Sequence, residues 1–480
     1  MNPIVQNVIG GVRRQPGGAE RYRAVNPAKL DDVVAEYAFS SASDIAAAID
    51  AARGVARSWR DTSAIARGET LTKAGLLLRT RAKELGALMT REMGKPVAEA
   101  TAEADYAGKV LQFYGAEAQR PFGETLNSGR PNVHYYTVRE PIGVIGAITP
   151  WNFPFSIACW KLGPALVAGN TVVWKPAPHH PFCSQAVLEA LLESGLPEGV
   201  VNLVHGGVAA GGAIVADPRI AGLSFTGSTP VGQSIYREVS ARLGRAQCEM
   251  GGKNALYVHA QADLEKAVTL TVEGAFRSAG QKCTATSRVL VDKAIEADFT
   301  ERLVKRVAEI KAGDPFDAAT FLGPVVDARQ FGKVRGHIAA AIAAGQRPLT
   351  GGVEAPLANG YFIAPTVFGD VAQDAAIARE EIFGPVVALI SVAGLEAAVE
   401  TVNGTDYGLS ATIVTRDLET AHRFARSVDT GVVGVNLPTA GVELHAPFGG
   451  WKGSGLGVPE QGLKILDFYT KWRSVAMQFA

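Results

Sequence analysis

One cysteine of this chain stands where its thiol could do chemistry. Cys283 lies in the run GQKCTA at 280–285, a glycine-opened turn of small residues directly after helical apolar periodicity over 264–279. A thiol presented by such a loop is a candidate nucleophile. Most free cysteines are nevertheless small buried hydrophobes. Cys283 alone favours that interpretation, so the case for catalysis depends on partners elsewhere in the chain.

A carboxylate and an amide have the chemistry that a nucleophilic thiol would need. Glu249 stands in CEMGGKN among apolar and glycine neighbours, where desolvation raises the pKa of a carboxyl and makes it a usable general base near neutral pH. Asn152 stands in TPWNFP, where prolines restrict the backbone. Its amide could donate to the oxyanion that forms when a thiolate attacks a carbonyl. A surface glutamate at a helix end and a plain turn are the alternatives for these two residues.

The elements around these residues predict an α/β fold. Helical patterns occupy 42–57, 64–93, 181–194, 264–279 and 295–311, the first opened by a capping box at 41–44. Strand-like apolar runs occupy 142–148, 171–174, 200–204, 222–225, 255–258 and 288–292. Their alternation is typical of parallel, doubly wound sheets, with a second series beginning after Gly252. The glycine-rich run at 206–212 is predicted to be a flexible turn.

In their order and spacing, the motifs resemble those of the NAD(P)-dependent aldehyde dehydrogenase superfamily. They are TPWNFP with Asn152, VVWKPAP with Lys175, FTGSTPVG with Gly227 and Gly232, EMGGKN with Glu249, GQKCTA with Cys283, EEIFGP with Glu381 and Phe383, and PFGGWKGSG at 447–455. Together these motifs are highly specific, and the resemblance covers nearly the whole chain. It implies two doubly wound Rossmann-like domains with a small β oligomerisation extension.

This resemblance also implies domain boundaries and an assembly. We expect a dinucleotide-binding domain from 1–119 and 140–251, a catalytic thiol domain from 252–445, and oligomerisation segments at 120–139 and 446–480. The segments 132–138 and 470–477 are rich in strand formers, and isolated strands of this kind need a partner. In the resembled family they form a sheet that reaches a neighbouring subunit. We therefore expect a homo-dimer or homo-tetramer.

The cofactor implied by the resemblance is NADP or NAD. No G-x-G-x-x-G follows a strand; instead a strand-like run leads through Gly227 and Ser228 into a helix, whose first amides and the Ser228 hydroxyl could hold a pyrophosphate. The cofactor-binding residues implied by the resemblance are Trp151, Lys175 at the adenine ribose, Gly227, Ser228, Gly232, Glu381 at the nicotinamide ribose and Phe383 at the ring.

The choice between the two cofactors depends on the residue three positions after Lys175. Many NAD-preferring members carry a glutamate there that accepts from the ribose 2′-OH, whereas this chain has Pro178, followed by His179 and His180. Because no carboxylate repels a 2′-phosphate at this position, we expect NADP to be accepted or preferred. The alternative is that the two histidines belong to a solvated loop.

The resemblance implies covalent chemistry at Cys283. The thiolate attacks the aldehyde, Asn152 and the Cys283 backbone N–H hold the oxyanion, hydride leaves for the nicotinamide, and Glu249 activates the water that hydrolyses the thioester. Members that transfer the acyl group to coenzyme A tend to lack this glutamate. Its presence therefore favours a carboxylic acid as the product.

Substrate choice depends on fewer signals. Arg277 lies six residues before Cys283, and its guanidinium would suit a substrate carboxylate. The segments 435–445, 457–462 and 468–470 resemble 2-oxoglutarate semialdehyde (2,5-dioxopentanoate) dehydrogenases, and the arginine at position 277 is shared with succinate semialdehyde dehydrogenases. A second arginine of the latter is replaced by Trp160. Trp160, Arg277 and His445 are the expected substrate-binding residues. The alternative is that Arg277 pairs with an acidic neighbour and the pocket takes a neutral aliphatic or aromatic aldehyde.

Two other classes of protein remain as alternatives. A cysteine hydrolase or acyltransferase would need a histidine base, for which His205 and His445 are candidates, although neither lies in a motif that marks it. A non-catalytic binding or structural member of the superfamily is the other. The presence of Cys283, Glu249 and Asn152 together argues against it.

Composition limits the partners of the chain. Lys+Arg and Asp+Glu both number 47 among 480 residues, so no net charge attracts nucleic acid or an anionic membrane. The four cysteines, at 159, 183, 248 and 283, have neither metal-site nor disulfide-framework spacing, and no metal is expected. The start of the chain lacks the pattern of a signal peptide, and no apolar run is long enough for a membrane helix. A small-molecule aldehyde partner and a cytoplasmic location are expected.

Overall fold

Local signals account for many of the helix ends. The structure, a computed structural model, describes residues 4–120 and 122–479. Its first long helix begins at the predicted capping box, in which Ser41 accepts from the Asp44 amide and Asp44 accepts from the Ser41 amide. The α-helices are α1 (Ala42–Asp61), α2 (Ala64–Thr80), α3 (Ala82–Met93), α4 (Val97–Glu117), α5 (Ser156–Val167), α6 (Pro181–Glu193), α7 (Val208–Ala216), α8 (Thr229–Ala241), α9 (Leu264–Phe276), α10 (Glu296–Ala308), α11 (Ala328–Ala343), α12 (Ala376–Arg379), α13 (Leu395–Asn403), α14 (Leu418–Ser427) and α15 (Leu466–Tyr469).

The strands alternate with these helices along most of the chain. They are β1 (Asn7–Ile9), β2 (Val12–Arg14), β3 (Arg21–Asn26), β4 (Lys29–Ala38), β5 (Thr125–Leu126), β6 (Val133–Pro141), β7 (Val144–Thr149), β8 (Thr171–Pro176), β9 (Val201–Leu203), β10 (Gly222–Thr226), β11 (Arg245–Glu249), β12 (Asn254–Val258), β13 (Thr286–Asp292), β14 (Pro348–Thr350), β15 (Thr366–Phe368), β16 (Val386–Val392), β17 (Tyr407–Gly408), β18 (Ser410–Val414), β19 (Val432–Val435), β20 (Trp451–Lys452), β21 (Gly455–Leu456) and β22 (Thr470–Gln478).

Two large sheets confirm the predicted parallel, doubly wound organisation. The first has the order β2-β1-β9-β8-β7-β10-β11-β21, and its strands from β9 to β11 are all parallel. The second has the order β14-β15-β16-β13-β12-β18-β19, parallel from β15 to β19. Their central strands, such as β7, β8 and β12, are buried on both faces, as near-continuous apolar runs require. The fold is that of two Rossmann-like α/β units.

A smaller three-stranded sheet, β22-β6-β5, lies apart from these two, and β22 pairs with β6 along its full length, from Thr470 opposite Pro141 to Gln478 opposite Val133. The two segments that were predicted to form the oligomerisation sheet therefore pair with each other. The range 446–480 also contributes β21 to the first large sheet. The domain boundaries themselves remain a prediction.

Three local predictions need correction. The helical pattern over 64–93 is two helices, because Arg81 leaves helical geometry between α2 and α3. The run at 206–212, predicted to be a turn, contains the first residues of α7. The pattern over 264–279 is helical only to Phe276, and a left-handed turn follows. Glycine content misled the second prediction, since tertiary packing buries Ala210 and Ile214 of α7 in the core.

Parallel pairing brings four loops to one edge of the first sheet. Register aligns Thr149 at the end of β7 with Pro176 at the end of β8, and Thr226 at the end of β10 with Glu249 at the end of β11. Because ligands of such sheets bind at the carboxyl ends of the strands, this edge is where a site is expected. In the described ranges, no helix is long and apolar enough to cross a membrane.

Candidate active site

The loop that presents Cys283 is held in an unusual backbone conformation. Directly after α9, Ser278, Ala279 and Gly280 have φ values of 54°, 53° and 68°, a run of three left-handed residues. A Cβ on Gly280 would lie 2.2 Å from the carbonyl oxygen of Gly384, so only glycine fits there. Left-handed geometry is unfavourable for serine and alanine. The surrounding contacts therefore hold the loop in place.

Hydrogen bonds to the backbone fix the position of the thiol. Asn254 at the start of β12 donates through Nδ2 to the carbonyl oxygens of Cys283 (2.7 Å) and Ala285 (2.9 Å). A Cβ on Gly252 would lie 2.9 Å from the Cys283 carbonyl oxygen. Gly252, the second glycine of EMGGKN, therefore lies directly against the backbone of Cys283, in the segment 277–285 that we call the thiol loop. Cys283 itself is half-buried.

In this arrangement the thiol is held in its protonated form. Burial raises the pKa of the Cys283 thiol to about 12, and the carboxyl groups of Glu249 and Glu381 also raise it. The backbone N–H of Thr284 acts in the opposite direction. A thiol must lose its proton before it can attack a carbonyl. Loss of this proton is therefore the first requirement of the reaction.

The Asn152 amide lies beside the thiol loop. Asn152 follows β7 and is 5% exposed, and its Nδ2 donates to the backbone carbonyl of Gln281, two residues before Cys283, at 3.0 Å. An amide nitrogen carries two hydrogens. One is used by Gln281, and the other can be donated to an oxyanion.

Glu249 ends β11 with its carboxyl buried. The residue is 3% exposed, and its oxygens accept from Gln247 Nε2 and the Gly450 amide, both at 3.3 Å. Burial raises the pKa of Glu249 well above its usual value, and Glu460 raises it further, whereas Lys161 lowers it. The sequence-based expectation of a desolvated carboxyl with a raised pKa is therefore correct. Such a group can take a proton from water near neutral pH.

A charged network behind Glu249 was missed by sequence reasoning. Lys161 on α5 donates to the Glu460 carboxylate at 2.7 Å and to Ser224 Oγ at 2.9 Å, and Ser224 donates to Gln247 at 2.7 Å. The Lys161 and Glu460 side chains are 0% and 1% exposed. Ser224 and Gln247 are register partners on adjacent strands, and the polar Ser224 between Leu223 and Phe225 was a usable signal. Glu460 lies 299 residues from Lys161, and no local pattern indicated it.

Several predicted cofactor residues lie at the carboxyl edge of the first sheet. Gly227 follows β10, and Ser228 is the N-cap of α8 without using its hydroxyl for capping. A Cβ on Gly232 would lie 2.4 Å from Met250 Sδ, which explains the small residue there. Lys175 on β8 donates to the carbonyls of Pro176 (3.2 Å) and Gly206 (3.0 Å), and burial lowers its pKa to about 8.

The remaining cofactor residues approach from the second half of the chain. Glu381 accepts from the Gly252 amide at 3.0 Å, and a Cβ on Gly251 would lie 2.3 Å from the Glu381 carboxylate. Phe383 has a φ of 60° and meets Trp151 edge-on, with ring centroids 5.4 Å apart. Glycines, a free hydroxyl, an ammonium and an aromatic ring border this edge, and these groups fit the phosphates, riboses and ring of a dinucleotide.

The Pro178 region differs from the solvated loop that was the alternative prediction. His180 is fully buried between the Pro150 carbonyl (3.1 Å) and Ser184 Oγ (3.0 Å), and burial lowers its pKa to about 3. His179 Nε2 lies 2.9 Å from Asp327 Oδ2. Both histidines are therefore engaged by the protein. The cofactor preference drawn from Pro178 stays a prediction.

Arg277 has acidic partners within the protein. Its guanidinium contacts Glu273 at 2.8 Å and Glu99 at 3.7 Å, and stacks on the Phe321 ring with its central carbon 4.0 Å from the centroid. This is the arrangement of the alternative in which Arg277 pairs with its neighbours. The Arg277 side chain is 35% exposed, so its protein partners cover it only in part.

The other two predicted substrate residues differ in burial. Trp160 is half-buried and packs against Phe448 and Tyr106, with ring centroids 5.6 and 6.5 Å away. His445 is exposed. As for the alternative histidine base, His205 is 1% exposed, and burial together with the charge of Lys175 lowers its pKa to about 3. His205 is therefore too weak a base to activate a thiol near neutral pH.

Comparisons with known proteins agree with this geometry. The pattern of the aldehyde dehydrogenase family matches residues 14–475. The chain is 44% identical to the 2,5-dioxopentanoate dehydrogenase of Saccharolobus solfataricus, covering 96% of each chain. It is 39% identical to the alpha-ketoglutaric semialdehyde dehydrogenase of Bacillus subtilis, covering 98% of this chain and 97% of the relative.

Solved structures share the whole fold. An NAD-dependent aldehyde dehydrogenase from Sinorhizobium meliloti superposes with a TM-score of 0.96 at 33% identity, covering 100% of this chain and 95% of that one. An NADP-dependent enzyme from Escherichia coli superposes with a TM-score of 0.95 at 34% identity, covering 99% and 98%. The family match and the identities with these relatives agree with the thiol, the buried carboxyl and the amide at the site. The chain therefore belongs to the aldehyde dehydrogenase family and is an NAD(P)-dependent enzyme that oxidises aldehydes.

Proposed function

We propose that this enzyme oxidises a semialdehyde of a dicarboxylic acid, such as 2-oxoglutarate semialdehyde, through a thiohemiacetal and a thioester on Cys283. The observation that carries the chemistry is the junction at 249–254. Glu249 ends strand β11 of the first large sheet there. Asn254 begins strand β12 of the second and donates to the Cys283 carbonyl. The identity of 44% with a 2,5-dioxopentanoate dehydrogenase supports the substrate class.

The first half of the reaction uses the thiol loop. Cys283 forms a bond from Sγ to the aldehyde carbon, and the carbonyl π electrons move to the oxygen. The free N–H of Asn152 and the Cys283 backbone N–H donate to that oxygen, in a site where donors need no reorganisation. Cys283 reacts as the thiolate after its proton has passed to solvent. Glu249, whose raised pKa makes it a stronger base than an ordinary carboxylate, is reserved for the water of the second half of the reaction.

Cofactor binding would involve Gly227, Ser228 and Gly232 at the phosphates, Lys175 and Glu381 at the riboses, and Trp151 and Phe383 around the ring. When bound, the nicotinamide supplies the hydride acceptor that makes the oxidation possible. Deacylation returns to the chain's own residues. Glu249 takes a proton from a water, the water oxygen bonds to the thioester carbon, and the Cys283 sulfur leaves.

A neutral aldehyde is the second candidate substrate, because Arg277 already has Glu273 and Glu99 as partners. If Arg277 binds a substrate carboxylate, its guanidinium must serve the ligand as well as these acids. Five donors in a planar fork make this feasible, since an arginine can be shared between carboxylates. The two candidates predict different responses to removal of Arg277.

Specificity constants with Arg277→Ala test the substrate class. The panel is 2-oxoglutarate semialdehyde, succinate semialdehyde, an aliphatic and an aromatic aldehyde, each with NAD and NADP. We expect KM for the semialdehydes to rise roughly 10- to 100-fold, because charge-assisted hydrogen bonds are lost, with little change for neutral aldehydes. Arg302→Ala is the matched control, since Arg302 also pairs with an acid four residues away. An equal effect of Arg277→Ala on both classes would favour the neutral-aldehyde candidate.

The assembly and location are proposed on separate observations. The outer strand β22 is largely exposed: Trp472 within it is 53% exposed, and Phe479 directly after it is 56% exposed. An exposed strand of this length needs a partner, and we propose a homo-dimer or homo-tetramer, which light scattering at micromolar concentration tests. All four cysteines are free, and a reducing compartment such as the cytoplasm suits them.

A further inference from the structure

A buried ion pair lies behind Asn152 and takes no part in the chemistry described above. Lys95, between α3 and α4, donates through Nζ to the carboxylate of Glu103 on α4. Their side chains are 5% and 3% exposed. Burying two charges is expensive, and such a pair is often no more stable than apolar residues of the same size. What the pair contacts therefore matters more than its own attraction.

Both members of the pair hold the backbone around Asn152. Lys95 Nζ also donates to the Asn152 carbonyl oxygen at 2.9 Å, and it lies 3.9 Å from the centre of the Phe153 ring. Glu103 Oε1 accepts from the amides of Phe155 (3.2 Å) and Ser156 (3.3 Å), where α5 begins. Lys95 thus holds the Asn152 carbonyl at the start of the segment 152–156, and Glu103 holds the amides of Phe155 and Ser156 at its end.

These hydrogen bonds of Lys95 and Glu103 determine the direction of the Asn152 side chain. The Asn152 amide is anchored at its far end by the Gln281 carbonyl (3.0 Å), on the thiol loop. With one N–H used there, the direction of the second N–H depends on where the Asn152 backbone lies. We propose that Lys95 and Glu103 are positioning residues that aim the Asn152 amide at the aldehyde oxygen. The proposal rests on the oxyanion role of Asn152 in the proposed function.

A double-mutant cycle with Asn152 tests this positioning role. In Lys95→Met, we expect the pre-steady-state burst of reduced cofactor to slow roughly 10- to 100-fold, because a small displacement of a catalytic donor can cost this much. The KM for aldehyde and the cofactor Kd should change less than the burst rate. In an Asn152→Ala background, the same substitution should have no further effect, since its target is gone. Lys109→Met, on the exposed face of α4 beside Asp105, is the matched control.

The Lys95→Met/Glu103→Gln variant separates positioning from charge balance. In this variant both buried charges are gone, and the Lys95 donor to the Asn152 carbonyl is still missing. The burst should therefore stay slow. Recovery of the burst in this variant would overturn the proposal, because it would show that Lys95→Met slows the burst only by leaving the buried Glu103 carboxylate without its partner. Equal slowing by Lys95→Met with and without Asn152 would also overturn it.

Folding and the proposed function are controlled within the same set. Thermal unfolding and cofactor binding are measured for every variant. If Lys95→Met does not fold, Glu103→Gln enters the cycle, because a carboxamide has one acceptor oxygen in place of the two that Glu103 uses for Lys95 and for the amides of Phe155 and Ser156. A slow Asn152→Ala with an unaffected Lys95→Met overturns the positioning role alone. An Asn152→Ala with a normal burst overturns the oxyanion role as well.

Discussion

The two halves of the active site are held by different kinds of force. We call the buried group around Glu249, namely Lys161, Glu460, Gln247 and Ser224, the base cluster, and compare it with the thiol loop. The base cluster contains an ion pair at 0% and 1% exposure. Around Cys283, the backbone of the thiol loop is held by neutral hydrogen bonds, from Asn254 to two carbonyls and from Asn152 to Gln281. The ion pairs of Arg277 lie at the start of the loop, six residues before the thiol.

This difference follows from what each half must do. A base works by exchanging a proton, so charges placed behind Glu249 can tune its pKa in either direction. A nucleophile must be aimed, and hydrogen bonds to backbone carbonyls fix a position without adding charge near the reacting carbon. We therefore expect variants of the base cluster to change pH dependence, and variants of the thiol loop to change rate without moving it.

The largest effect is expected from Cys283→Ala. Turnover should fall to background while NAD(P) binding is retained, because the thiol enters only the covalent step. Cys248→Ala is the matched control, since Cys248 is a buried cysteine on β11 whose Sγ lies 3.7 Å from the Gly232 carbonyl. Steady-state rates and cofactor titrations measure both. Near-normal turnover in Cys283→Ala would contradict the nucleophilic role of Cys283, on which the comparison of the base cluster with the thiol loop depends.

Glu249→Gln should separate acylation from deacylation. We expect a retained burst of reduced cofactor followed by turnover slowed roughly 10²- to 10⁴-fold, as for loss of a general base. Stopped-flow traces measure both phases. If the burst is lost too, Glu249 also takes the Cys283 proton, even though its own carboxylate raises the pKa of that thiol.

Glu460→Gln should shift a pH profile. Glu460 raises the pKa of Glu249 and Lys161 lowers it, so removing the Glu460 charge lowers that pKa. Deacylation needs ionised Glu249 and rises with pH through its pKa, so its acidic limb should move to lower pH. Stability should fall by about 3–5 kcal/mol because Lys161 is left as an unpaired buried cation.

The charge balance of the same cluster provides the control. Lys161→Met/Glu460→Gln has no unpaired buried charge, and we expect it to regain most of the lost stability in denaturant titrations. An acidic limb that stays unchanged in Glu460→Gln would show that the base cluster does not tune Glu249.

The smallest effect is expected from Asn254→Ala. Loss of its amide leaves the carbonyls of Cys283 and Ala285 without their donor, which should lower the free energy of unfolding by about 1–3 kcal/mol and slow the burst. The pH profile should not move. Asn403→Ala is the control, because Asn403 makes a similar pair of backbone hydrogen bonds to Ser427 and Asp429 away from the thiol. Equal slowing of the burst in both would contradict a specific role of Asn254.

Much of the fold could be predicted because its signals are local. The strands at 144–149, 171–176 and 222–226 were marked by continuous apolar runs, and α1 by its capping box. The break at Arg81 and the helix at 208–216 were missed. At 208–216 the glycines indicated a turn, whereas burial of Ala210 and Ile214 in the core favoured a helix.

The sequence by itself determined which groups are proposed to react, namely Cys283, Glu249 and Asn152, because each stands in a short motif whose residue types restrict its surroundings. Only the tertiary structure decided what holds them. No local pattern indicated three of these features. They are the left-handed run at 278–280, the hydrogen bonds that Lys95 and Glu103 make around Asn152, and the pairing of Lys161 with Glu460 across 299 positions. Neighbouring residues impose a periodicity that can be read along the chain, whereas partners from distant segments meet only through strand register and loop closure.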